Sequence, residues 1–241
     1  MIERQTQQRI DSNWQGVKQR VREAARASGR DPDSVRIIGV SKYVDETLTR
    51  ALTTAGCREL GESRPQLMWQ KSEAMQDLVP LSWHLIGHLQ RNKVRRSLRC
   101  EPMIHSVDSE RLLAAIAEEA VQQNVCINVL LEVNISGDHA KTGFLPDALE
   151  SVLVSMRASN IKSGVNICGL MAMAGWGTDP TAARKQFERT RELRDGLELA
   201  SGWSLPELSM GMSGDYQAAI LAGSTMVRIG SSLFDGVIER K

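Results

Sequence analysis

The sequence predicts the α/β class and, within it, a (β/α)8 TIM barrel carrying an extra N-terminal helix. Three observations carry this reading. Short apolar, β-branched runs alternate with helical stretches along the whole chain, the pattern of a parallel sheet whose crossovers are helices. There are eight such runs, and each but the last is followed by a helical stretch. The 241 residues come close to the ~250 that such a barrel needs.

The chain opens with a helix rather than a strand. Ile10, Trp14, Val17, Val21 and Ala24 recur at steps of four and three, with polar residues between them. Gly29 and Pro32 then stop the helix. VRIIGVS, residues 35–41, is the first strand. A helical stretch over 46–55 ends at Gly56, and a short strand follows over 58–61. A helix over 66–75 leads to the third strand, 83–87. A basic helix over 92–98 precedes a weak fourth strand, 103–107. Asp108 or Ser109 can cap the next helix, whose apolar stripe is Leu112, Leu113, Ile116, Ala117 and Ala120. The fifth strand spans 127–135. Pro146 sits in the first turn of a helix striped by Leu149, Val152, Leu153 and Met156. The sixth strand is 167–173, and Thr178-Asp-Pro opens a long charged helix running towards Leu199. The seventh strand at 205–210, a short helix at 215–222 and the eighth strand at 226–229 complete the alternation. The final SSLFDGVIERK leaves room for a short closing helix. An open doubly wound sheet is the alternative, but no G-x-G-x-x-G follows the first strand. No linker rich in Pro, Gly or Ser divides the chain, so residues 1–241 read as one domain.

Composition narrows the function. The chain is 41% hydrophobic and 24% charged, with a formal net charge of +1. A dedicated nucleic-acid binder usually shows a basic surplus. The basic stretch Arg91, Lys93, Arg95, Arg96, Arg99 has no aromatic interleaving and reads as a solvated helix face. No apolar run approaches the ~20 residues of a membrane span, and the polar start MIERQTQQRIDSNW is not a secretory signal. A cytoplasmic protein is expected. The four cysteines form no C-x-x-C pair, so reduced and mostly buried thiols are expected, and no metal site. His84 and His88 have helical spacing, but H-L-I-G-H holds a glycine and no acidic residue, unlike a metalloprotease helix.

In such barrels the chemistry sits at the C-terminal ends of the strands. That rule selects Ser41-Lys42, Gly61-Glu62-Ser63, Gly87, Asn134, Met171 and Met173, Gly211-Met212-Ser213-Gly214, and Gly230-Ser231-Ser232. The last two groups suggest a phosphate cup. Glycine lets backbone N–H groups approach an anion, serine adds a hydroxyl, and the helix starting near Gly214 would point its positive end there. Taken singly, each is equally an ordinary Gly-Ser turn. Asp215 opposes a phosphate at that helix start unless it caps and faces away. Lys42 ends an apolar strand, so its amine is expected at the barrel mouth. Partial desolvation there would lower its pKa and free the lone pair for attack on a carbonyl. A plain surface lysine is the alternative. A Schiff-base lysine facing a phosphate site suggests a sugar-phosphate aldolase or pyridoxal phosphate. Arg228 shares a strand face with Gly230. A contact to bound ligand and an ion pair inside the barrel are both open for it.

GVSK (39–42), WHLIGHLQRNK (83–93), VNISGDHAKTG (133–143), GLMAM (169–173), LSMGMSGD (208–215) and VRIG (227–230) together resemble the pyridoxal phosphate homeostasis protein family, barrels similar to the N-terminal domain of alanine racemase. The resemblance implies that pyridoxal 5'-phosphate is the cofactor and that Lys42 carries it as an internal aldimine. It implies that Ser213, Gly230 and Ser231 hold the phosphate, with Met212 among the cofactor contacts, and that Arg228 faces the pyridine nitrogen. Ser63 stands where the family has an asparagine beside the cofactor ring, Ser231 where threonine is common, and Leu-Phe-Asp-Gly where Ile-Phe-Gly is usual. The implied function is to hold the cofactor within intracellular vitamin B6 homeostasis and hand it to apo-enzymes, with weak or absent racemase-type activity. No nucleic acid, membrane or metal is expected, and the protein is expected to be a monomer. The alternatives are an amino-acid racemase dependent on pyridoxal phosphate, and a sugar-phosphate lyase using Lys42 without a cofactor. A two-base racemase needs a second acid/base besides Lys42. In the resembled racemase an added C-terminal domain supplies it, whereas this chain ends at Lys241. Tyr43 adjoins Lys42, but alternation along an extended strand would point it away.

Overall fold

The computed structural model describes residues 2–78, 80–138, 141–158 and 164–238. Its sheet is one closed barrel in the order β1 to β8. The strands are β1 (Arg36–Val40), β2 (Glu59–Glu62), β3 (Ser82–Leu85), β4 (Met103–Val107), β5 (Ile127–Glu132), β6 (Val165–Ala172), β7 (Glu207–Met212) and β8 (Met226–Ile229). The helices are α1 (Arg4–Ala27), α2 (Glu46–Thr54), α3 (Pro65–Ala74), α4 (Val94–Ser97), α5 (Glu110–Gln123), α6 (Leu149–Ala158), α7 (Pro180–Ser201) and α8 (Tyr216–Leu221). Every neighbouring pair is parallel, and β1 pairs with β8 from Arg36↔Met226 to Gly39↔Ile229, which closes the sheet.

The extra helix α1 buries Ile10, Trp14, Val17, Val21 and Ala24, the stripe read from the sequence. It packs against α2 and α8 and so covers the seam between the first and last strands. The expected closing helix does not form among the described residues, because 231–238 run as turns and bends. These turns are held on α1 by Asn13, whose amide donates to the carbonyls of Leu233 (3.1 Å) and Asp235 (2.9 Å). Thus α1 supplies the cover that a helix after β8 would give.

Local chemistry sets the other boundaries. Asp45 and Ser109 accept the N–H groups of Leu48 and Leu112, and Asp179 accepts those of Thr181 and Ala182, so each caps its helix. Asp108 pairs with His88 instead. β7 starts two residues later than expected. Pro206 brings no N–H to the ladder, and the N–H of Leu205 goes to Glu198 Oε1 on α7. β5 ends at Glu132, three residues early: the Val133 N–H still donates to the Met171 carbonyl of β6 at 2.9 Å, but on its other side Val133 bridges Phe144. The basic segment is a single α-helical turn between two 3₁₀ turns, with Arg91, Arg95, Arg96 and Arg99 exposed. All four thiols are free, but only Cys57 is fully buried and Cys126 is exposed, which corrects the expectation of mostly buried cysteines. Among the described residues no helix is long and apolar enough to cross a membrane.

One core lies between sheet and helices. A second fills part of the barrel interior with Ile38, Leu130, Met171 and Met226. β6 bulges at Cys168, where the register against β5 steps from Val129↔Ile167 to Leu130↔Gly169. That step brings Gly169 against the β7 backbone, so closely that a Cβ there would lie 1.8 Å from the Glu207 carbonyl oxygen. Gly169→Ala must therefore push β6 from β7. It is expected to cost ~3 kcal/mol and lower Tm by on the order of 10 °C. Calorimetry checks this, and an unchanged Tm would show that the bulge relaxes freely.

Candidate functional site

The sequence-selected residues gather at the C-terminal mouth of the barrel. β1 ends at Val40, and residues 41–44 form a turn in which the Val44 N–H donates to the Ser41 carbonyl at 3.0 Å. Lys42 is half-buried in that turn, and its Nζ lies 4.9 Å from the centroid of the Tyr43 ring, within cation–π range. This corrects the expectation for Tyr43. Strand alternation does not apply in a turn, so the ring lies by the amine although Tyr43 is 73% exposed.

A buried network that the sequence reading missed supports this turn. Lys71 on α3 donates from Nζ to the Ser41 carbonyl (2.8 Å) and to Glu62 Oε1 (2.5 Å), and the Ser41 hydroxyl donates to the same carboxylate oxygen (2.7 Å). Ser41, Glu62 and Lys71 are all buried. The residue before Lys42 is therefore tied to α3 through its carbonyl and to β2 through its hydroxyl. The other Glu62 oxygen, Oε2, has no hydrogen-bond partner among the described residues.

The loops after β7 and β8 meet, as expected. The Ser213 hydroxyl accepts the N–H groups of Gly230 (3.2 Å) and Ser232 (3.5 Å), so donors of the β8 loop converge on a β7-loop oxygen. Asp215 turns its carboxylate back to the Met212 N–H (2.6 Å) and makes no cap bond to α8. The expected helix contribution is small, because α8 has only six residues. Gly211 has a positive φ of 88°, and a Cβ there would meet Tyr216 Cα at 2.8 Å, so only glycine lets this loop fold back. Gly230 packs on Val40, with a Cβ position 3.3 Å from the Val40 carbonyl oxygen, which seats the paired loops beside the Lys42 strand. Ser231 is exposed, Met212 is 41% exposed and Ser63 is half-buried on the same rim, and none of their side chains bonds to the others. The Ser63 backbone lies over Gly87, where a Cβ would be 2.4 Å from the Ser63 carbonyl oxygen.

Arg228 is 3% exposed. Its Nη1 donates to the carbonyl (2.7 Å) and hydroxyl (2.6 Å) of Ser209, and its Nη2 to the Ala172 carbonyl (3.1 Å). The ion pair left open by the sequence does not form: no carboxylate among the described residues is bonded to it. Burial pulls the guanidinium down to about 10, against the attraction of Asp215 and Glu132, so it stays cationic at neutral pH. A guanidinium has five N–H groups; those on Nε and one on Nη2 have no protein acceptor among the described residues. Glu132, buried at the end of β5, accepts the Thr142 hydroxyl at 2.8 Å, and burial pushes its carboxyl up from the usual range. Below Arg228 the strands turn His84, His105 and Ser209 inward; the sequence reading weighs His84 only as half of a metal-binding pair and does not single out His105 or Ser209. The signal was there, as histidines at inward positions of otherwise apolar strands.

Residues 6–236 match the family described as alanine racemase, N-terminal domain. The pyridoxal phosphate homeostasis protein of Aquifex aeolicus is 37% identical over 226 residues, 93% of this chain and 96% of that protein. The chain belongs to the pyridoxal phosphate homeostasis protein family. Among solved structures, a protein of unknown function from Bifidobacterium adolescentis is similar with a TM-score of 0.89 at 34% identity, over 97% of this chain and 98% of that one. PipY of Synechococcus elongatus, solved with pyridoxal phosphate bound, is similar with a TM-score of 0.79 at 33% identity, over 89% of this chain and 99% of that one.

Removing one member of a buried ion pair leaves the other charge uncompensated. Lys71→Met should therefore destabilise the fold by ~3–5 kcal/mol, and adding Glu62→Leu should restore most of the loss. Urea unfolding measures both variants. A single-variant loss under ~1 kcal/mol, the scale of exposed pairs, would mean that the pair does not hold the Ser41–Lys42 turn.

Proposed function

We propose that this chain binds pyridoxal 5'-phosphate at the C-terminal mouth of a single barrel domain. It acts in intracellular vitamin B6 homeostasis as a monomeric, cytoplasmic holder that hands the cofactor to apo-enzymes. Family membership and the cofactor bound in PipY support this reading. The observation that carries it is Arg228, a buried cation bonded to carbonyls and a hydroxyl, with N–H groups left for a ligand. It lies on β8 two residues before Gly230, which opens the loop whose N–H groups converge on Ser213.

The residues present fit the cofactor. A phosphate needs N–H and hydroxyl donors; the Ser213 and Ser231 hydroxyls offer them, and the Gly230 N–H, which donates to Ser213 Oγ at 3.2 Å, would be shared with the anion, with Met212 beside them. A ring nitrogen needs a donor, and Arg228 offers one. An aldehyde needs a nucleophilic amine, and Lys42 offers it from the turn held by Lys71 and Glu62. Ser63 presents a hydroxyl where the family resemblance implies an amide. When bound, the cofactor supplies a ring that withdraws electrons from a carbon attached through its aldehyde. Arg228 donates a hydrogen bond but keeps its proton, so the ring nitrogen stays unprotonated and withdraws charge weakly. That arrangement favours holding the cofactor over turning over amino acids. One observation favours a second reading, an amino-acid racemase: Tyr43 lies beside the Lys42 amine and brings a second acid/base group near it.

The spectrum of the purified protein separates either reading from a lyase that uses Lys42 alone, because only bound pyridoxal phosphate makes it yellow. Borohydride reduction and peptide mapping should place the pyridoxyl mass on Lys42; a label on Lys93 or Lys141 would overturn the assignment. In heavy water with saturating L-alanine and other amino acids, α-proton exchange should stay far below the ~1–10³ s⁻¹ of ordinary enzymes. Exchange in that range would establish the racemase.

Ser213→Ala and Ser231→Ala should each weaken cofactor retention by roughly ten- to a hundredfold, the loss of one hydrogen bond to a charged group. Tm of the cofactor-free protein should barely change for Ser231→Ala and fall slightly for Ser213→Ala, which loses the acceptor of the Gly230 and Ser232 N–H groups. If the double variant retains the cofactor as the wild type does, these loops do not hold the phosphate.

A further inference from the structure

A continuous line of polar side chains runs through the barrel from Arg228 to the opposite mouth. Arg228 Nη1 donates to Ser209 Oγ at 2.6 Å, and that oxygen lies 2.8 Å from His105 Nδ1. His105 Nε2 lies 2.9 Å from His84 Nδ1, and His84 Nε2 lies 2.6 Å from Glu59 Oε2. The five residues come from β8, β7, β4, β3 and β2. Ser209, His105 and His84 are buried, whereas the Glu59 side chain is 28% exposed and lines a cavity with Arg36 and Arg58.

The chemistry of the two ends fixes the direction of every link. A guanidinium can only donate, so Ser209 accepts there and its own hydrogen is free to be given onward. At the far end the hydrogen bond from His84 holds the Glu59 carboxyl below its usual range, so Glu59 is an ionised acceptor and His84 carries hydrogen on Nε2. Burial, with the repulsion of the Arg228 and Arg36 cations, drives the His105 pKa well below the usual histidine value, so His105 is neutral. A neutral His84 accepts at Nδ1. His105 then donates from Nε2 and accepts the Ser209 hydroxyl at Nδ1. All four hydrogens point from Arg228 to Glu59, and each group in the line is satisfied. A protonated His84 would reverse the middle links. His105 would then donate from Nδ1 to Ser209 Oγ, which already accepts from Arg228, and the serine hydrogen would lose its acceptor in the line.

We propose that Glu59, His84, His105 and Ser209 are positioning residues that form a one-way hydrogen-bond chain, linking Arg228 to a counter-charge at the far mouth and holding its guanidinium towards the cofactor ring. The inference rests on the pyridoxal phosphate reading for its ligand. The chain itself belongs to the protein alone. Bonds arranged head to tail polarise one another in a low-dielectric interior, so the Glu59 charge is felt at Arg228 more strongly than separation alone would give. The three protein acceptors of the guanidinium leave only its Nε edge and one Nη2 hydrogen for a ring nitrogen.

The test has one arm on the cofactor-free protein and one on the loaded protein. Nitrogen-15 histidine spectra of the cofactor-free protein should show His84 and His105 as neutral Nε2–H tautomers; an Nδ1–H tautomer at His105 would overturn the chain. Glu59→Gln keeps the shape and removes the charge. It should populate the second His105 tautomer, lower pyridoxal phosphate affinity about tenfold and shift the ratio of the bound cofactor's absorption bands. Ser209→Ala cuts the line at Arg228. It should give the same spectral shift while His84 stays Nε2–H, a pattern that general loosening of the fold would not produce. If both variants bind the cofactor with wild-type spectra, the positioning role is wrong. If the wild type takes up no pyridoxal phosphate while both tautomers are as stated, the cofactor reading has failed and the positioning role with it, though the chain stands.

Discussion

The barrel interior is organised around one buried cation. A guanidinium taken out of water is costly unless its donors find acceptors, and no carboxylate among the described residues bonds to Arg228. β6 and β7 answer with two carbonyls, and β7 adds the Ser209 hydroxyl. That hydroxyl meets a histidine, and the next two links carry the polarity down to Glu59. The interior therefore has an apolar and a polar side, with Met103 of β4 also packed on the apolar one. Ile38, Leu130, Met171 and Met226 pack apolar surface from β1, β5, β6 and β8. The hydrogen-bonded residues Glu59, His84, His105 and Ser209 come from β2, β3, β4 and β7.

The surroundings of this cation differ from those of an arginine present only for stability. An arginine present only for stability would face a buried carboxylate, and Glu132 and Asp215 are near enough to attract it. Both are otherwise engaged. Glu132 takes the Thr142 hydroxyl and Asp215 the Met212 N–H. The mouth thus keeps a positive group with spare donors beside loops rich in N–H groups, which matches an anionic, nitrogen-bearing ring better than a neutral or cationic ligand.

Much of this was legible in the sequence because it depends on counting. Strand ends fix where Lys42, Ser213, Gly230 and Arg228 fall, and alternation puts Arg228 and Gly230 on one face. What depends on register or reach was not legible. Lys71 lies on a helix without a clear apolar stripe, PQLMWQKSEA, so nothing local marks its amine as buried. Its carbonyl partner, Ser41, is 30 residues away. The His84–His105 contact exists only because β3 and β4 pair with His84 opposite Met103, which places the two rings edge to face. Tyr43 was misplaced because the strand ends one residue before Ser41 and a turn has no alternating faces. Pro206 explains the late start of β7 and was readable, since proline brings no N–H to a ladder.

The pairing of β1 with β8 also has a consequence in time. The Lys42 turn leaves the ribosome long before Arg228, Gly230 and Ser231. Contacts so far apart in sequence form late and slowly. Until β8 is made, β1 presents an unpaired edge, and its amine has neither the loops nor the cation beside it. Until β8 emerges, a growing chain therefore cannot bring this turn and the Arg228 cation together. Whatever needs both groups at once waits for the sheet to close.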